Sequence, residues 1–163
     1  AREVDTIIFS TGFETTTYLS ALDVIGRDGR QLKDAWSDGA QAYLGITTAG
    51  FPNLFMLYGP NTNQGSILFM LERQCDYIMR QLGRLADEDL AWMDVRPDVM
   101  NSFNNQLQKD ISLVDVWQAE CGNDFYYRSN SGRFVTNWPY SMDEFTARTT
   151  KSDAEAYEVQ RSA

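Results

Sequence analysis

The chain has 163 residues, 43% of them hydrophobic and 13% aromatic, which is enough for one domain with a real core and too apolar for disorder. Its 23 acidic and 14 basic residues give a net charge of −9, so it offers no basic footprint for nucleic acid or an anionic membrane surface. It contains no histidine, which removes Ser-His-Asp chemistry, a histidine general base and most zinc sites. No metal site is expected, and acid–base work would fall to carboxylates, lysine or tyrosine.

In chain order, residues 4–13 (VDTIIFSTGF) are β-branched and aromatic and end in Thr-Gly, the pattern of a buried parallel-type strand with a tight exit. Asp28-Gly29 marks a turn, with a small hairpin expected between Val24 and Leu32. Residues 43–47 and 54–58 read as two short strands joined by a turn at Gly50-Phe51-Pro52. From Ser66 the period changes. Ile67, Leu68, Leu71, Cys75, Ile78, Met79 and Leu82 recur at helical spacing, which predicts a helix over 66–85 with that stripe buried. Residues 90–95 (LAWMDV) suit a strand or extended link. Pro97 suits the first turn of a second helix, with Val99, Met100, Phe103, Leu107 and Ile111 as its stripe. Residues 124–139 read as a hairpin turning at Asn130-Ser131-Gly132. Residues 1–150 form one unit, and the charged tail 151–163 is expected to be helical or frayed. The fold class is α/β, with short strands, two main helices and a late hairpin. No apolar run approaches the ~20 residues of a membrane span, and no secretory signal is present. A cytoplasmic protein is expected, with Cys75 and Cys121 as reduced, buried thiols.

Neither phosphate cradle, GxGxxG or GxxxxGK[ST], occurs, so the chain cannot be a complete nucleotide-binding enzyme of either type. Asp87, Glu88 and Asp89 read as a solvated acidic surface. Trp36, Trp92, Trp117 and Trp138 read as packing residues. Two stretches stand out. In FSTGF the glycine allows close backbone approach. In NLFMLYGPNTNQGSILFML, residues 53–71, a helix opens near residues 63–66, where free N–H groups and the macrodipole favour an anion. On physics alone an ordinary capped end is the simpler reading.

Together these stretches resemble the C-terminal part of class B flavoprotein monooxygenases, the Baeyer–Villiger enzymes and their flavin-containing relatives. DTIIFSTGF is similar to that family's Asp-x-x-x-x-Ala-Thr-Gly-Phe, with Ser10 in place of alanine. YLG, FPNLF and GPN follow in the family's order, and GRFVTNWP is similar to its late Gly-Arg … Trp-Pro stretch. The family's two GxGxxG motifs and its histidine-containing fingerprint are missing, and CGNDFYY departs from the usual Cys-x-Ser-Trp-Tyr. The resemblance therefore implies the last third of an FAD- and NADPH-dependent enzyme, which inserts oxygen beside a carbonyl through the flavin C4a-peroxide. Its partners are the remainder of the parent and a small carbonyl or heteroatom substrate. It implies that Thr11, Gly12 and Phe13 lie by the link between cofactor domains. It also implies that Asn61, Thr62, Asn63, Gln64, Gly65 and Ser66 face the pyrimidine edge of the flavin. Residues 61–64 and Trp138 become candidate substrate-pocket walls. The isolated chain is expected to be inactive and free of FAD, and to associate non-physiologically through an exposed apolar face. A non-catalytic docking module derived from a flavoprotein, an enzyme that oxygenates nitrogen or sulfur, and an unrelated small α/β domain are the alternatives.

Overall fold

A computed structural model describes residues 2–12, 14–114, 117 and 127–162. Among these, the helices are α1 (Leu32–Ala35), α2 (Ile67–Asp87), α3 (Pro97–Ile111) and α4 (Met142–Thr150). Strands β1 (Leu90–Val95) and β2 (Tyr157–Arg161) pair antiparallel, with Met93 opposite Val159 and Val95 opposite Tyr157.

Helix α2 starts as expected. Ser66 is its N-cap, and the hydroxyl accepts from the Phe69 amide at 3.3 Å. The buried face is not the predicted one. Met70, Gln74, Tyr77 and Gln81 turn inward, whereas Leu68 (74% exposed), Met79 (65%) and Leu82 (43%) face out. Periodicity locates a stripe but not its partner, and here the polar and aromatic face meets the rest of the chain. Cys75 lies on the outward face and is exposed rather than buried; Cys121 lies outside the described residues.

Residues 4–12 form no strand. Ile7, Ile8 and Phe9 are 66, 85 and 81% exposed. A strand needs a neighbour to take its backbone hydrogen bonds, and no described segment lies beside it. The 43–47 segment is not a strand but a tight turn. The Tyr43 amide donates to the Thr47 carbonyl at 2.7 Å, with Leu44 and Gly45 at φ 53° and 69°. Residues 54–58 form no ladder and bend at 57–58; the segment is tied to the turn by the Met56 amide on the Ile46 carbonyl (2.8 Å). The small hairpin is present as an Ile25–Gln31 bridge around Asp28 (φ 55°). The late hairpin is present in its described part as an Arg128–Phe134 bridge.

The tail is not frayed, and its only helical piece among the described residues is a single 3-10 turn at Ala154–Ala156. The tail then forms β2, because Ala156 and Tyr157 are buried and their backbone completes the edge of β1. Asn53, at φ 59°, closes the other side of β1 by accepting from the Met93 amide (3.0 Å) and donating to the Ala91 carbonyl (3.1 Å). Helix α4 has no counterpart among the predicted elements. Ser141-x-x-Glu144 starts it, the serine hydroxyl accepting from the Glu144 amide at 3.1 Å.

Leu44, Ile46, Tyr77, Met93, Val95, Met100 and Tyr157 form one core. Met70, Leu107, Ile111, Phe134, Trp138 and Phe145 form another, which lies behind the start of α2.

Candidate functional site

The segment entering α2 reverses twice, at Tyr58 (φ 54°) and Asn61 (φ 57°), a conformation that side chains other than glycine rarely adopt. Between them Gly59 crosses the 43–47 turn so closely that a Cβ there would sit 2.2 Å from the Gly45 carbonyl oxygen. The Thr62 hydroxyl closes the bend on the Gly59 carbonyl at 2.7 Å and is itself buried.

From there the loop is stitched to the late hairpin. The Asn61 amide donates to the Val135 carbonyl and the Asn63 amide to the Thr136 carbonyl, both at 2.9 Å; the Trp138 amide donates back to the Asn63 carbonyl at 3.1 Å. The Asn61 side chain adds two bonds, Nδ2 to the Phe134 and Asn137 carbonyls at 3.1 Å each, while its Oδ1 is buried without a partner. Gln64 reaches the Tyr140 carbonyl at 3.2 Å. Backbone pairing on one side and turn chemistry on the other leave the loop little freedom.

At the mouth of α2, the Ser66 amide points to the Met142 sulfur (3.4 Å) and the Gly65 amide to Gln64 Oε1 (3.2 Å). The Phe69 amide is taken by the cap. The amides of Ile67 and Leu68 are too early in the helix for an internal acceptor and belong to exposed residues. They are the donors the loop leaves at the mouth.

The sequence-predicted residues do not all converge. Residues 61–66 form one continuous loop and cap. Trp138 supports that loop through its backbone, but its ring is fully enclosed by Phe103, Tyr140 and Phe145 at centroid distances of 6.4, 4.9 and 5.1 Å. Thr11 and Gly12 are exposed, and no hydrogen bond joins them to the loop among the described residues. Phe13 lies outside the described residues.

Residues that sequence reasoning missed include Gln74 and Tyr140. Gln74 is fully buried in the third turn of α2 and accepts from the Tyr58 amide at 2.8 Å. Its signal was the second helical face, Met70-Gln74-Tyr77-Gln81, at the same period as the apolar stripe. The Tyr140 hydroxyl donates to Asp110 Oδ2 at 2.5 Å, and this bond holds the Asp110 carboxyl below its usual range. Burial raises the Tyr140 phenol.

No family model matches the chain. A Baeyer-Villiger monooxygenase of Pseudomonas aeruginosa is 42% identical over 160 residues, covering 97% of this chain and 30% of that protein. Another, from Streptomyces coelicolor, is 37% identical over 166 residues, covering 99% and 31%. Among solved structures, an oxidized steroid monooxygenase bound to NADP superposes with a TM-score of 0.81 at 22% identity, over 93% of this chain and 29% of that one. The OTEMO complex with FAD and NADP gives 0.81 at 24% identity, over 98% and 30%. The fold is therefore that of a flavin monooxygenase segment. The chain spans about a quarter to a third of the length of the relatives it matches. Over nearly its whole length it is similar to one segment of the Baeyer–Villiger and FAD-binding monooxygenases, and the likeness supports a C-terminal portion of such a protein.

Proposed function

We propose that this chain closes the flavin site of an NADPH-dependent Baeyer–Villiger monooxygenase and does not bind flavin alone. The observation that carries the reading is the mouth of α2. The N–H groups of Ile67 and Leu68, which have no acceptor inside the helix, stand at the positive end of a 21-residue helix beside a hydrogen-bonded loop. That arrangement fits one edge of a planar ring that accepts hydrogen bonds and gains negative charge. It does not supply a phosphate cradle, because the chain has no glycine-rich motif.

Flavin, when bound, supplies the electron transfer and oxygen activation. The chain contributes donors at Ile67 and Leu68, a loop at 61–66 pinned to the hairpin by the backbone of Asn61 and Asn63, and a dry wall behind it at Trp138 and Phe145. Residues 61–64 would border the substrate, a small carbonyl compound. Residues 2–12, with Thr11 and Gly12, would pair with the upstream part of the parent, which would also cover the outer face of α2.

The test is a chimera in which this chain replaces the matching portion of the Pseudomonas aeruginosa relative. The expected result is a yellow protein that retains FAD through gel filtration and consumes NADPH in ketone-dependent ester formation. This chain alone should carry no visible flavin band. A folded, soluble chimera without flavin, or flavin held tightly by this chain alone, would contradict the proposal.

A further inference from the structure

Gln74 is fully buried at a helix position where leucine or methionine would pack at no polar cost. Its Oε1 accepts from the Tyr58 amide at 2.8 Å, yet its Nε2 is buried without a partner. Tyr58 is the first of the two positive-φ reversals, and its hydroxyl donates to Asn63 Oδ1 at 3.0 Å. The Asn63 backbone is in turn paired with the hairpin on both sides. One relay therefore runs from the third turn of α2, through Tyr58, to the middle of the loop at the helix mouth. The backbone of Asn61 and Asn63 is fastened to the hairpin and the Gln64 side chain to the Tyr140 carbonyl, so Gln74 is what ties the loop's entry to the helix itself. Asn61 Oδ1 is likewise buried without a partner among the described residues.

We propose that Gln74 is a positioning residue for oxygenation, setting the height of the 61–65 loop above the mouth of α2. This rests on the function proposed above. Gln74 touches neither substrate nor cofactor; it acts through Tyr58 and Asn63. Losing the acceptor frees the Tyr58 amide and lets the loop entry shift while α2 stays intact. Displacements on the order of 1 Å at such a site cost up to about 100-fold in productive turnover.

Two readouts test it. In this chain, amide hydrogen exchange at Tyr58 should speed up at least about tenfold in Gln74→Met, which keeps length and volume but replaces the amide oxygen with a weakly accepting thioether one atom short of its position. Gln74→Glu, which keeps an oxygen at the same reach, should restore protection. In the chimera, Gln74→Met should retain FAD but raise the ketone KM and divert NADPH electrons to hydrogen peroxide, with Gln74→Glu again closer to wild type. If Gln74→Met does not fold, Tyr58→Phe breaks the next link and should show the same uncoupling. Unchanged Tyr58 exchange in Gln74→Met overturns the proposal, and so does faster exchange with wild-type coupling. A wild-type chimera that never oxidises NADPH would instead sink the functional reading, leaving the exchange result to stand alone.

Discussion

At the residue scale, Asn61 shows how one side chain is chosen. It sits at φ 57°, where asparagine is tolerated better than most residues, and its amide nitrogen satisfies two carbonyls that hold the hairpin to the loop. Asn61→Ala should lower stability by about 1–3 kcal/mol, since it strips two carbonyls of a partner and adds backbone strain. Asn61→Gly should cost less than alanine, because glycine relieves the strain. Urea denaturation of both variants checks the order. Equal losses would mean that strain contributes nothing. The loop and helix start at 61–66 were legible as structure from GPN, the glycine and the Ser66 cap. The burial of Gln74 was not, because a glutamine beside an apolar stripe looks like a surface residue until its hydrogen-bond partner is found.

At the element scale, a chain of hydroxyls joins α2 to β2. Thr47 Oγ1 lies 3.2 Å from the Tyr157 hydroxyl, which lies 2.6 Å from that of Tyr77; Tyr77 donates to Asp153 Oδ2 at 2.6 Å, and Gln81 reaches Asp153 Oδ1 at 3.1 Å. This latch explains why the tail is a strand rather than a frayed end, and no sequence pattern announced it. Tyr77→Phe should cost about 1–3 kcal/mol by leaving Asp153 and Tyr157 short of a partner. The latch also sets an alkaline limit. Burial pushes the Tyr157 phenol up to about 12 and raises that of Tyr77 as well. Tyrosines in the unfolded chain ionise near 10. The folded state therefore keeps protons that the unfolded state loses, so the stability due to these groups is full below about pH 10 and falls as pH rises toward 12. Urea midpoints measured from pH 8 to 12 should drop steeply in wild type and less in Tyr157→Phe. Parallel curves would remove the latch from the explanation. Helices α2 and α3 were legible because their start signals, the Ser66 cap and Pro97 in the first turn, and their periods are local. The strand expected at 4–13 was not realised, because β structure depends on partners that the pattern cannot name.

At the scale of the whole molecule, the described residues leave a broad apolar surface uncovered. Leu68, Met79 and Leu82 on α2 and Ile7, Ile8 and Phe9 near the start are exposed together with the backbone of residues 4–12. A chain with this much uncovered apolar surface should self-associate. Sedimentation of the isolated chain should show a dimer or larger species that Leu68→Lys with Met79→Lys reduces to monomer; a monomeric wild type would contradict this. The central claim is that the mouth of α2 faces the redox ring, and a single N–H tests it. Ile67 is the first helical residue, 45% exposed, and Ser66 before it is extended (φ −84°, ψ 112°), so proline fits there without breaking α2. Ile67→Pro in the chimera removes one donor and little else. The measurement is the two-electron reduction potential of the bound flavin. Losing about 0.3–1 kcal/mol of stabilisation of the reduced, anionic ring predicts a fall of about 6–20 mV. A chimera that holds flavin at an unchanged potential would mean that the mouth points elsewhere.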